Sequence, residues 1–194
     1  MGGTAIASAV TAGVRSGMTD LVTRLRVRVA DQGKAYWTDA QLQNYLDENK
    51  FRVAREPLDV ERTLTSGTSY EYKIYRSRYG NWESGGTVYF KVEDSAGSAR
   101  GTGDYSVDYL AGVVTMSADQ VGTQLYLTGC HYDLDGAASR VWTAMAGSVS
   151  DQYSVSADGH TMNRAEWFEH CVNMAELYAK RGVAQTANLF TFEG

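Results

Sequence analysis

Four soft metal ligands stand in two adjacent pairs, Cys130–His131 and His170–Cys171. Zinc would need such ligands to converge on a tetrahedron. Neighbours in a strand point to opposite faces, and neighbours on a helix diverge by about 100°. At most one residue of each pair can face a shared site, so the spacing predicts two buried thiols and two histidines at polar edges. Glu166 and His170 are related as i and i+4, whereas a di-metal carboxylate bundle uses Glu-x-x-His, and uses it twice. Asp133, Asp135 and Gly136 lack the glycine and glutamate positions of a calcium loop and read as capping residues. The run Gly101-Thr-Gly103-Asp-Tyr-Ser106 lacks the third glycine of a dinucleotide loop and opens a strand rather than a helix. There is no P-loop and no Gly-x-Ser-x-Gly elbow. The three histidines, His131, His160 and His170, offer no spacing that favours a Ser/His/Asp triad. The expectation is a protein that is not an enzyme and holds no metal or cofactor.

Function then has to come from surfaces. Arg24, Arg26 and Arg28, with Arg15 and Lys34 nearby, form the one basic patch. It reads either as a solvated helix face or as a contact for an acidic partner or a DNA backbone. Leu189, Phe190 and Phe192 leave the last helix with nothing local to bury them. They either pack back onto the chain's own helices or anchor in a pocket on another chain, where aromatics dominate interface energies.

The elements that must position these groups are legible from periodicity. Leu21, Val22, Leu25 and Val29 share a helical face, with Thr19 or Asp20 as cap, although Arg24 to Val29 also alternate like a strand. A polar turn at Asp31–Lys34 follows. Thr38 and Gln41 form a capping box, with Trp37 stapled onto Leu42. Leu42, Tyr45 and Leu46 make the stripe of a helix too short to stand without a tertiary partner. From Phe51 the period changes to two, and Gly, Ser and Asp punctuate about six or seven antiparallel strands. Nine of the thirteen tyrosines fall between Phe51 and Asp133, as suits half-buried pleated surfaces. Pro57 breaks the first run, and Tyr109–Gly112 turns a hairpin between Tyr105–Tyr109 and Val113–Met116. At Asp133–Asp135 the helical period returns. Asp135 is the expected cap, and Ala138, Val141, Trp142, Met145 and Val149 form the stripe. After an extended link with a turn at Asp158–Gly159, the last helix opens at Asn163, with Glu166 completing the box and Met162 stapled onto Trp167. Trp167, Cys171, Met174, Ala175 and Tyr178 run down one face. Lys180 and Arg181 suit the C-terminal dipole, and Gly182 is the expected stop.

The bulk numbers suit this plan. The chain has 194 residues, 43% of them hydrophobic, and a formal charge of −5. That is enough for a core and too acidic for a dedicated nucleic-acid reader, though mild repulsion suits a protein past which DNA must slide. Two cysteines build no disulfide framework. No run approaches the ~18 apolar residues of a membrane span. Residues 1 to 18 lack a basic n-region and read as a small-residue arm rather than a leader. Ile6 breaks the myristoylation pattern.

The predicted fold class is α+β: a small bundle of about four helices with a large antiparallel β insertion between helices 2 and 3. The arm spans 1–18, the helical body 19–50 and 134–182, the inserted β domain 51–133, and a docking tail 183–194.

Three stretches carry a family resemblance. They are TRLRVRVADQGKAYWTDAQLQNYLDENK, then YSVDYLAGVVTMSADQVGTQLYLTGCHYDLDGAA, then SVSADGHTMNRAEWFEHCVNMAELYAKRG. In order and spacing they resemble the head-to-tail connector, or adaptor, proteins of long-tailed bacteriophages. The resemblance implies a dodecameric homo-oligomeric ring in the virion neck, assembled in the host cytoplasm. The ring would sit beneath the portal protein, extend toward the stopper, tail-terminator and tail proteins, and line a channel for DNA without reading its sequence. It also implies lateral contacts through the helical body and a C-terminal tail reaching toward the portal. No membrane partner is expected. The Tyr-rich block leaves a second reading open, a virion-associated carbohydrate- or receptor-binding β module.

Overall fold

The structure is a computed structural model and describes residues 13–67, 69–150, 156–157, 160–161 and 164–187. It is an α+β fold. A single 3-10 turn, Ser16–Met18, leads into helix α1 (Thr19–Arg28), followed by α2 (Asp39–Glu48). Seven strands follow: β1 (Lys50–Pro57), β2 (Asp59–Ser66), β3 (Ser69–Arg76), β4 (Phe90–Glu93), β5 (Tyr105–Asp108), β6 (Val113–Met116) and β7 (Tyr126–Tyr132). The one-turn helix α3 (Gly86–Tyr89) precedes β4. Helix α4 (Leu134–Ser150), a two-residue pairing of β8 (Ser156–Ala157) with β9 (His160–Thr161), and helix α5 (Arg164–Ala187) complete the order.

The helical body forms where the stripes predict it. Leu21, Val22, Leu25 and Val29 of the α1 region, Leu42 and Leu46 of α2, Ala138, Val141, Trp142 and Met145 of α4, and Cys171, Ala175 and Tyr178 of α5 share one core. Helix α4 is its centre, packed against α1, α2 and α5. The strand-like alternation of Arg24 to Val29 does not prevail, because the four apolar side chains at helical spacing all find this core.

The capping box at α2 is complete. Thr38 Oγ1 accepts from the Gln41 amide, and Gln41 Oε1 accepts from the Thr38 amide at 2.8 Å. Trp37 packs on the helical core and meets Tyr45 edge-on at 5.6 Å. Two expected caps are not the ones used. Met18, with no side-chain bond, precedes α1. Asp133 rather than Asp135 caps α4, its Oδ1 accepting the amides of Asp135 and Gly136 at 3.0 and 2.9 Å. Asp135 instead receives Arg28 Nε at 2.8 Å. The Asn163 cap, the Met162 staple and the Asp158–Gly159 turn lie outside the described residues.

Helix α5 does not stop at Gly182. It runs on to Ala187. A Cβ at Gly182 would lie 2.9 Å from Asp133 Oδ2 and 3.5 Å from the Gly136 amide nitrogen. The glycine therefore marks the close approach of α5 to the N-terminus of α4, not a left-handed cap. Gly182→Ala should cost about 1–3 kcal/mol, despite the better helix propensity of alanine. Urea unfolding checks this, and a stabilised variant would show that the approach is not tight.

The strands form two antiparallel sheets, β1-β7-β4 and β2-β3-β6-β5. Their facing side chains build a second core from Leu58, Tyr75, Trp82, Phe90, Val92, Val114, Met116, Leu125 and Leu127. The predicted hairpin is present, with Tyr105 opposite Met116 and Asp108 opposite Val113. Pro57 ends β1 as expected. The β block is nonetheless not an appendage. By the period of two, Cys130 and Tyr132 of β7 point into the helical core. Leu127 faces the other core, and His131 stacks on Tyr79 there at 4.3 Å. The first sheet is thus a shared middle layer, and the boundary at residue 133 falls just past a strand that belongs to both cores.

Candidate functional site

The two thiols are buried as expected, but His131 is not at a polar edge: alternation along β7 turns it among aromatic rings of the β block. Cys130 and Cys171 are buried free thiols in the helical core, and burial raises the Cys171 pKa. His131 lies on the opposite face of β7, between the rings of Phe51 (5.4 Å) and Tyr79 (4.3 Å), with Trp82 at 5.4 Å. His170 is exposed on α5 and stacks on Trp167 at 5.3 Å. Among the described residues no group of three or more His, Cys, Asp and Glu could hold a metal ion.

Desolvation in its aromatic sandwich lowers the His131 pKa to about 4. The folded state therefore prefers neutral imidazole, while the unfolded chain takes up a proton near pH 6.5. Stability contributed by His131 is present above pH 6.5 and is lost as the pH falls toward 4. Allowing for partial exposure, the loss should be on the order of 1–2 kcal/mol. His131→Gln should remove that component of the pH dependence, read as the difference between the two unfolding profiles. Identical pH slopes would overturn it.

The basic patch divides. Arg24 is exposed, and among the described residues it has no ion-pair or hydrogen-bond partner. Arg26 is 4% exposed. It donates to Asp31 Oδ2 (2.8 Å), Asp39 Oδ1 (2.7 Å) and the Trp37 carbonyl (2.7 Å). Arg28 is held by Asp135. Lys34 meets Asp39 at 2.8 Å, and these contacts, with the Lys34 bond first, lower the Asp39 pKa. The open groove of about 360 Å³ bordered by Arg26, Lys34, Tyr36, Trp37, Thr38 and Asp39 is thus lined by charges that already neutralise one another. The expected patch for a partner or DNA backbone reduces to Arg24, because Arg26 is spent on fixing the α1–α2 turn. Asp31 completes that turn by accepting the amides of Ala35, Tyr36 and Trp37.

A second polar cluster was not visible in the sequence. Arg15 reaches Asp47 of α2 (2.6 Å), Glu83 of the β block (2.7 Å) and the Tyr132 hydroxyl (3.1 Å). Tyr132 donates to Glu83 in turn. The Arg15 amide donates to Gln43 Oε1 at 2.7 Å. Glu83 is completely buried. Burial, then the bond to Glu83, raises the Tyr132 pKa, and the bond to Asp47 raises that of Arg15. Nearby, the Gly17 carbonyl accepts from the Ser84 amide and hydroxyl, each at 3.3 Å. The only available signal was a lone arginine before a helix and a glutamate after a tryptophan, far apart in sequence. This junction ties α2, the N-terminal segment and the first sheet together. Each of these side chains is engaged within the chain.

What remains unspent is apolar surface. On the β2–β3 ribbon Val60, Leu64 and Tyr70 are 39%, 56% and 45% exposed. Tyr70 sits opposite Leu64 and carries the Arg62 guanidinium on its ring at 4.3 Å. On α5, Phe168 and Leu177 are each 42% exposed. At 100° per residue the two lie half a turn apart, Phe168 beside the buried stripe of Cys171, Ala175 and Tyr178 and Leu177 on the far side of the helix. Leu189, Phe190 and Phe192, the proposed docking residues, lie outside the described residues. No described helix is long and apolar enough to cross a membrane. Searches with family models, against curated proteins and against solved structures gave no match for this chain.

Proposed function

We propose that the chain is a structural subunit of a virion neck. In this reading it is an adaptor that forms a homo-oligomeric, dodecameric ring, joins the portal protein to the stopper and tail proteins, and lines the channel through which DNA passes. The observation that supports this reading is the exposure of Val60, Leu64 and Tyr70 on the β2–β3 ribbon and of Phe168 and Leu177 on α5, five of the ten large hydrophobic side chains that stand exposed among the described residues. Buried aromatic and aliphatic anchors of this kind are what subunit interfaces use. The charge pattern agrees. Arg15, Arg26 and Arg28 are bound to carboxylates within the chain, and the net charge of −5 favours a lining that does not grip the phosphate backbone.

The alternative of a carbohydrate-binding module calls for open aromatic platforms. Of the nine tyrosines in the β block only Tyr70 is exposed, with Arg62 over one face of its ring, so the block presents one such ring rather than a row of them.

Mass and symmetry under assembly conditions test the proposal. Native mass spectrometry with purified portal rings should show a closed multimer of this chain on the portal. A chain that stays monomeric with portal rings present, and binds glycans, would sink it. Deleting residues 188–194, which carry Leu189, Phe190 and Phe192, should weaken portal binding at least about tenfold (about 1.4 kcal/mol). Unchanged binding would remove the tail from the docking site.

A further inference from the structure

We infer that the guanidinium of Arg100 is a binding site for a single carboxylate from outside the chain. The inference stands apart from the ring reading and holds or fails without it. Among the described residues every other lysine or arginine that is partly or fully buried is paired within the chain. Arg15, Arg26, Arg28, Lys73 and Lys91 each hold a carboxylate at 2.6 to 3.1 Å. Arg100 is partly buried as well. Its Nε is closed off from solvent without a hydrogen-bond partner, and among the described residues no carboxylate pairs with its side chain. A cation withdrawn this far from water costs free energy unless something pairs with it. An orphaned buried donor calls for an explanation of its own.

The fold shows why no carboxylate of the chain reaches it. The loop after β4 doubles back along that strand. Ala99 bridges Glu93, and the Arg100 amide donates to the Val92 carbonyl at 2.8 Å. Residues opposite each other in antiparallel strands share a face. Arg100 therefore leaves on the side of Val92, which is buried in the second core. Glu93 leaves on the other side, where it holds Lys91. Burial and the charge of Asp119 raise the pKa of Tyr75, and the charge of Arg100 opposes them, which places the cation at the rim of that core. Asp94 and Asp104, close in sequence, are committed to main-chain amides, and so is Asp119. Asp94 Oδ1 accepts from Ala96 and Ser98, Asp104 Oδ2 from Gly101, and Asp119 Oδ1 from Tyr72 and Val121, all at 2.9 to 3.0 Å.

The same surroundings select the ligand. Nε is the one nitrogen of Arg100 that is both closed off and unpartnered, so a ligand meets the terminal nitrogens. That end of the fork presents two N–H donors to a planar pair of oxygens. One cation beside apolar and aromatic side chains neutralises one negative charge. A phosphate dianion would bring a second, unpaired charge to the rim of a core and toward Asp104 and Asp119. A carboxylate fits on both counts.

The test is thermal unfolding of the full chain in sodium acetate against sodium chloride, at equal ionic strength and near neutral pH. At about ten times its half-saturating concentration acetate should raise the melting temperature by about 3–6 °C. Arg100→Gln should abolish that difference, and equal responses of the wild type and Arg100→Gln would overturn the site. Phosphate should do less than acetate, and a larger shift with phosphate would overturn the choice of a carboxylate. Acetyl-glutamate methylamide separates two sources of the same chemistry. Half-saturation at least about tenfold below that of acetate would assign a glutamate side chain of a protein partner, and anything less a small free carboxylate. Arg100→Met gives a readout that needs no ligand. In chloride it should melt at or above the wild type, because it removes an unpaired charge and keeps the aliphatic packing. A lower melting temperature, or a failure to fold, would mean that the guanidinium is already compensated within the chain and would overturn the inference.

Discussion

Replacing Arg15 by methionine should cost about 3–5 kcal/mol of folding free energy, the cost of breaking a buried ion pair by removing one partner. The residue looks peripheral in the sequence, four positions ahead of α1. In the fold it is the cation between Asp47 and Glu83, and Glu83 has no solvent to turn to. Without the guanidinium, Glu83 keeps only the Tyr132 hydroxyl among its side-chain partners. The penalty belongs to the stranded carboxylate rather than to the lost attraction, and that is testable. Glu83→Gln in the Arg15→Met background should recover part of the loss, whereas independent sites would add. Urea midpoints of the two single variants and the double variant give the coupling. A purely additive cycle would mean that the cluster is not the joint between the helices and the first sheet. Gly17→Ala strains the same joint by a different route. A Cβ there would fall 1.5 Å from the Ser84 carbonyl oxygen, so the 16–18 turn would have to lift off the β block.

This joint shows where sequence reading stops. Periodicity identifies which side of a strand or helix is apolar, and those readings hold. The capping box of Thr38 and Gln41, the hairpin from Tyr105 to Met116, and the returns to helical spacing at α4 and α5 are all present. Each depends on residues within a turn or two of one another. What periodicity does not say is what lies against each face. Strand β7 reads as one strand of the β block, yet Cys130 and Tyr132 enter the helical core while Leu127 enters the other. The block is inserted between helices in chain order, and only the two cores show that β7 is shared with the helical body. Long-range polar contacts are equally silent, since Arg15 and Glu83 are 68 residues apart. Gly182 misled for a related reason. A glycine near the end of a helical stripe fits both a stop and a close approach, and only the position of Asp133 on the neighbouring helix decides between them. For the surfaces, the sequence marked the arginines and the last aromatics. It did not mark Val60, Leu64 and Tyr70, because alternation along β2 and β3 looks the same whether the apolar face is covered or bare.

Arg24 and Arg26 should part company when each is replaced by alanine. A basic patch that grips a partner or DNA backbone predicts two similar variants, each folded and each weaker in binding. The structure predicts otherwise. Arg24→Ala should change stability by no more than about 0.5 kcal/mol, as surface substitutions do. Arg26→Ala should cost about 3 kcal/mol or more, because it leaves Asp31 buried without its cation and the Trp37 carbonyl without its donor. Arg26→Lys should not rescue it. One ammonium has no planar fork with which to serve Asp31, Asp39 and the Trp37 carbonyl at once. Thermal unfolding of the three variants separates the accounts. If Arg26→Ala melts with the wild type, the α1–α2 turn does not depend on it. If Arg24→Ala lowers assembly or DNA passage while melting normally, the one exposed arginine of the three carries whatever contact the patch makes. The argument extends to the proposed channel. A lining that must release DNA is better without a row of free guanidinium groups, and this chain ties up Arg15, Arg26 and Arg28 in its own scaffold, leaving Arg24 as the one exposed arginine of that cluster without an ion-pair partner among the described residues.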